Sequence, residues 1–154
     1  MNEQLVLIDS SVWIPVLRKD GHPLIKGKVR KLLEADLVAI TPIIQLELLG
    51  GAKTENEYKR LKDRLKVLHH VPITENEWEE AAYNAFRLRR KGKSIPYTDI
   101  LIATVALVHD LVLLHADHHF ELIASETPLK TESLINPIAQ PSMKKMTKRD
   151  GKKS

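Results

Sequence analysis

The chain has 154 residues, 43% hydrophobic and 29% charged, the composition of one globular domain with a sizeable core. It contains no cysteine, which excludes disulfides and thiolate metal sites and leads us to expect a cytoplasmic protein. Its net charge of +4 is uneven: residues 137–154 carry a net +5 and residues 1–136 a net −1, so the first 136 read as the folded domain and the rest as a basic, disordered tail.

Leu5-Val-Leu-Ile8 is a short continuous apolar run, as expected of a strand buried on both faces. It follows the N-terminus directly, with no signal-peptide pattern. Asp9-Ser10-Ser11 closes the run, and either serine can cap a helix over Val12–Arg18. A second helix fits Leu24–Ala35, with Ile25, Val29 and Leu32 on one stripe, and Leu37–Ile40 is the second strand. Thr41-Pro42 is an N-cap followed by an N1 proline, opening a helix that contains Glu47 and stops at Gly50-Gly51.

Glu57–Leu68 is predicted to be helical and His70–Ile73 a short strand. Thr74 and Glu77 form a capping box for a helix over Glu75–Lys91. Thr98 is placed to cap the next, largely apolar helix, with Asp99 in its first turn. Leu111–Leu114 is the fourth strand, His118–Ala124 a short helix and Glu132–Ile135 a last short strand. No apolar run reaches the roughly 20 residues that span a membrane. Alternating strands and helices predict an α/β fold, with a central parallel sheet of four to five strands covered on both faces.

Such sheets bind ligands beyond the carboxyl ends of their strands. Four acids fall near that edge: Asp9, Glu47, Asp99 and Asp117. Each alone has a simpler role as a cap, a complement to a helix dipole, a solvated helix residue or a turn residue. Their neighbours argue otherwise. Glu47 lies between Leu46 and Leu48, Asp99 precedes Ile100-Leu101-Ile102, and no lysine or arginine lies within four residues of any of the four. Carboxylates in apolar surroundings need a partner. A nest of oxygen ligands without sulfur suits Mg²⁺ or Mn²⁺, and points to metal-dependent phosphodiester chemistry.

His115, Asp117 and His119 alternate, with His118 between them. Zinc accepts such ligands. Alternate residues share a face only in an extended segment, however, and this one leads from a strand into a turn, so zinc is the weaker expectation. Arg87, Arg89, Arg90, Lys91 and Lys93 form the dense basic cluster of the body, either a solvated helix end or a contact for a phosphate backbone.

Four segments resemble the PIN-domain ribonucleases, most of all the VapC-type toxins of toxin–antitoxin pairs. They are Leu7-Ile-Asp9-Ser-Ser-Val-Trp13, Thr41-Pro-Ile-Ile-Gln-Leu-Glu47-Leu, Tyr97-Thr-Asp99-Ile-Leu-Ile-Ala-Thr104 and Leu113-Leu-His-Ala-Asp117-His-His-Phe120. The resemblance implies a Rossmann-like α/β/α sandwich, Mg²⁺ or Mn²⁺ dependence, cleavage of RNA, a homodimer and inhibition by a small antitoxin. It assigns Asp9, Glu47, Asp99 and Asp117 to the metal site and Ser10 to its support. His115 departs from the pattern, since the family often has Thr, Ser or Asn there, and a titratable ring at that position bears on the surroundings of the last acid. A nuclease of RNA maturation, or a non-catalytic RNA- or protein-binding module, remains compatible with the same motifs.

Overall fold

In a computed structural model of the chain, residues 4–136 are described. The expected basic tail, 137–154, lies outside them. Twelve elements alternate as foreseen: β1 Val6–Ile8, α1 Ser10–Leu17, α2 Pro23–Glu34, β2 Val38–Ile40, α3 Pro42–Gly50, α4 Glu55–Leu65, β3 His69–His70, α5 Glu75–Arg90, α6 Tyr97–Val108, β4 Val112–His115, α7 His118–Glu126 and β5 Thr131–Ser133. The five strands form one parallel sheet in the order β3-β2-β1-β4-β5. No helix among the described residues is long and apolar enough to cross a membrane.

The chain moves outward from β1 through β2 to β3, then returns to the other side of β1 for β4 and β5. Right-handed crossovers therefore carry the helices of the two halves to opposite faces. The central strands are buried throughout: Leu7, Ile8, Ala39, Ile40, Leu113 and Leu114 are inaccessible. They match the sequence pattern of uninterrupted apolar runs rather than alternation, because both faces are covered. The order reverses between β1 and β4, whose residues pair in register from Val6 with Val112 to Ile8 with Leu114. That switch point opens a crevice at the carboxyl edge of the sheet.

Several boundaries differ from expectation for local reasons. Helix α1 starts at Ser10 because Asp9, not a serine, is its cap; the Asp9 carboxylate accepts the Ser11 N–H at 3.0 Å. Pro15 consequently falls in the second turn, and the helix ends two residues later. Helix α4 starts at Glu55 because the Thr54 hydroxyl accepts the Glu57 N–H at 3.1 Å. Thr98 does not cap α6, which already begins at Tyr97 after Pro96, a residue whose fixed φ favours a helix start. Thr41 does precede α3, but its buried hydroxyl donates across the sheet to the Val71 carbonyl at 2.9 Å rather than capping the helix.

Candidate active site

The four acids arrive at one opening by four routes. Asp9 follows β1, and its N–H donates to the Leu114 carbonyl of β4 at 2.9 Å. Asp117 follows β4 and caps α7, its Oδ1 accepting the His119 N–H at 2.9 Å. The two therefore flank the switch point on adjacent strands. Helix α6 leads into β4, so its first turn, with Asp99, lies at the carboxyl edge. Helix α3 leaves β2 at that same edge and carries Glu47 in its second turn.

The acids act on one another electrostatically. Burial pushes the Asp9 carboxyl up, with only 3% of the residue exposed; the Asp117 charge adds to the rise, and hydrogen bonds from Ser11 and Ser10 oppose it. Burial, then the Asp117 and Asp9 charges, push Asp99 up to about 6 against the lowering influence of His119. Glu47 is exposed at the rim, yet the protein beneath it removes enough water to raise its carboxyl, helped by the Asp9 and Asp99 charges and opposed by the Ser10 hydroxyl. Each of the three is held away from its ionised form by burial and by its neighbours.

Histidines and serines frame the acids. His119 Nδ1 lies 3.1 Å from both Asp99 Oδ2 and Asp117 Oδ1, bridging two acids that are 18 residues apart in sequence. His115 is fully buried against Phe120, at 5.2 Å between ring centroids, and burial pushes its imidazole pKa down. Its Nδ1 accepts the Asp117 N–H at 3.2 Å, so the ring fixes the backbone that presents Asp117. The Ser11 hydroxyl accepts the Ala116 N–H at 2.9 Å, tying the start of α1 to the end of β4.

Residues 6–126 match the PIN domain family. The chain is a PIN-domain protein. Ribonuclease VapC11 of Mycobacterium tuberculosis is 32% identical over 133 residues, 84% of this chain and 98% of that protein. Ribonuclease VapC51 of the same species is 34% identical over 125 residues, 79% of this chain and 86% of that one. The fold is shared with solved structures of VapBC2 from Rickettsia felis bound to a promoter DNA fragment and of DNA-bound VapBC from Salmonella typhimurium. Their TM-scores are 0.69 and 0.67, each at 20% identity; they cover 84% and 85% of this chain and 98% of each matched chain.

The donor chemistry of this PIN domain fits a hard divalent ion: four carboxylates from separate segments, no sulfur, and mutual repulsion that a cation relieves. The carboxylates do not close into a tight cage. Among the described residues, the trio with ligand atoms all within 4.8 Å of one another is Asp117, His118 and His119. A wider ring of acids suits an ion that keeps several of its own waters.

The basic cluster divides. Arg89 and Lys93 line a groove of about 390 Å³ that reaches His119 past Pro96, Tyr97 and Ile100. Lys91 turns away to pair with Glu126 at 2.7 Å, while Arg87 and Arg90 lie over the rings of Tyr83 and Phe86 at 5.9 and 5.4 Å. Two residues of the PIN-domain site escaped the sequence reading of its acids: Ser11 as the tie to β4, and His119 as the bridge between Asp99 and Asp117. The only sequence signal for them was their place within the Asp9-Ser-Ser11 and Asp117-His-His119 runs.

Proposed function

We propose that this PIN domain is a Mg²⁺- or Mn²⁺-dependent endoribonuclease acting in the cytoplasm as the toxin of a toxin–antitoxin pair. One observation carries the nuclease reading. Four acids from four separate segments converge at the switch point, and the pKa values of three, Asp9, Glu47 and Asp99, are raised by burial and neighbouring charge. Relatives named as ribonucleases, and neighbours solved as toxin–antitoxin complexes, support the substrate and the biological role.

Asp9, Asp99 and Asp117 are assigned to hold the ion, with Glu47 at the rim. When bound, the ion supplies positive charge against the phosphate and acidifies a water. The residues do the rest. Ser11 and His115 fix the backbone around Asp117 so that the opening keeps its shape. Ser10 steadies Glu47. Glu47, the most open of the four acids, accepts the proton of the attacking water. Arg89 and Lys93 draw the RNA backbone along their groove toward His119.

Two partners belong to the same proposal. The apolar groove of about 380 Å³ lined by Trp13, Leu17, Leu61 and Leu68, with Arg18 and Arg64 among its lining, suits an acidic, amphipathic antitoxin segment. The exposed aromatic face of α5, with Trp78, Tyr83 and Phe86, suits a second copy of the chain. The deciding experiment incubates purified protein with RNA and Mn²⁺. Cleavage is expected with the ion and is lost in EDTA or in Asp9→Asn; undiminished cleavage under either condition contradicts the reading.

A further inference from the structure

Beside the acid pocket lies a group of ligands of a different chemical character. Asp117, His118 and His119 occupy the cap and first two positions of α7. Their ligand atoms all lie within 4.8 Å of one another. The imidazole rings of His118 and His119 approach to 4.3 Å between centroids. Asp117 Oδ1 lies 3.1 Å from His119 Nδ1 and 3.6 Å from His118 Nδ1. With metal–ligand bonds of about 2.0–2.2 Å, two ligands of a tetrahedral zinc ion stand about 3.4 Å apart. The two separations straddle that value.

A second observation points to a cation at the same place. His119 Nδ1 is buried and makes no hydrogen bond, although Asp99 Oδ2 and Asp117 Oδ1 both stand 3.1 Å away. A proton on that nitrogen points at neither oxygen well enough to bond it. Without the proton, the nitrogen lone pair faces two carboxylate oxygens. The protonated ring pairs its charge with both carboxylates but aligns a hydrogen bond to neither, and the neutral ring leaves the nitrogen unsatisfied. An ion seated between nitrogen and oxygens satisfies all three atoms. Imidazole donors select for zinc-like ions over Mg²⁺ and Mn²⁺, which favour oxygen. The positive end of α7 opposes a cation, and the Asp117 and Asp99 carboxylates offset that opposition.

We propose that Asp117, His118 and His119 form a binding site for Zn²⁺ or an ion of the same class, and that filling it withdraws Asp117 from the neighbouring acid pocket and inhibits hydrolysis. The inhibitory half rests on the nuclease reading above; the binding half does not. Three protein ligands leave a fourth position open, within reach of Asp99 or a water.

The test uses the full chain, stripped of metal and titrated with Zn²⁺ against a chromogenic chelator, with Co²⁺ absorption as a second readout of tetrahedral binding. Wild type should bind one ion per chain. His118→Ala, whose side chain is 72% exposed, should bind roughly 100-fold more weakly while its circular dichroism spectrum matches that of wild type. His22→Ala, at the N-cap of α2, should bind as wild type does. In Mn²⁺-supported RNA cleavage, Zn²⁺ should inhibit wild type, and His118→Ala should need roughly 100-fold more Zn²⁺ for the same fractional inhibition, each rate being referred to the same variant without Zn²⁺. Failure of wild type to bind Zn²⁺, or equal affinity in His118→Ala, overturns the site. Binding without inhibition overturns the regulatory half. Absence of cleavage with any divalent ion overturns the nuclease reading and its inhibition together, while the titration still decides the binding site.

Discussion

Asp99 and Glu77 are both acids in the first turn of a helix, on two helices that pack against each other, and their environments push them in opposite directions. Asp99 is driven up to about 6 by burial and by Asp117 and Asp9. Glu77 is drawn down to about 2, first by the Thr74 hydroxyl and further by backbone N–H groups and His109, although burial opposes the fall. Only 3% of Glu77 is exposed, so the difference is one of partners rather than of water. Its Oε2 accepts the Thr74 N–H at 2.7 Å, and its Oε1 lies 2.8 Å from His109 Nε2 at the far end of α6. One end of the α5–α6 pair thus satisfies its carboxylate fully. The other end leaves its carboxylates facing one another. Such a concentration of like charge, which His119 and the helix N–H groups only partly offset, costs stability and survives where a ligand is to be held.

The largest expected effect separates the two ends. Asp99→Asn should lower RNA cleavage roughly 100-fold or more, because it removes an oxygen ligand and a charge from the reacting centre. Thr74→Ala should leave the cleavage rate alone and destabilise the fold by about 1 kcal/mol, read from urea denaturation. Comparable activity losses in both variants would erase the contrast.

The next effect concerns stability without metal. The folded pKa of Asp99, about 6, lies above its ordinary value of 3.8, so the folded state holds this proton more tightly than the unfolded chain does. In EDTA, stability from this group is gained as pH falls through about 6 and is complete near 3.8. Asp99→Asn should therefore stabilise the metal-free protein at pH 7 by about 1 kcal/mol, and that gain should vanish by pH 4. Glu77 has the opposite sign. Its stabilisation is present above 4.5 and is lost as pH falls from there through about 2, so Glu77→Gln should denature at lower urea than wild type at pH 7, with the gap closing as the medium is acidified. A gap that widens in acid would contradict the pairing with Thr74 and His109.

The smallest effect lies in the groove. Arg89→Ala with Lys93→Ala should raise the KM for RNA roughly three- to tenfold and flatten its salt dependence. Arg90→Ala, over the Phe86 ring, should change neither.

Much of this was legible in the sequence because the signals are local. Leu5–Ile8, Leu37–Ile40 and Leu111–Leu114 read as buried strands, and the sheet contains each of them, trimmed by a residue or moved by one. The Thr74–Glu77 pairing was equally legible, since its partners are three residues apart. The start of α1 was legible only as an alternative, since Asp9 read either as a cap or as a site acid and in the fold it does both. The His119 bridge was not legible, since it forms only after α6 and β4 bring Asp99 and Asp117 to the same edge. The absence of lysine and arginine near the acids foretold their lack of cationic partners in sequence, but no local pattern revealed which histidine would reach them.

The proposed hard divalent ion belongs at the carboxyl edge of the sheet, between the acids gathered there. A crystal of the full chain soaked in Mn²⁺ and measured at the manganese absorption edge tests this placement directly. An anomalous peak enclosed by oxygens of Asp9, Asp99 and Asp117 is expected, absent from Asp9→Asn crystals. A peak elsewhere on the molecule, or one that persists unchanged in Asp9→Asn, would contradict that placement.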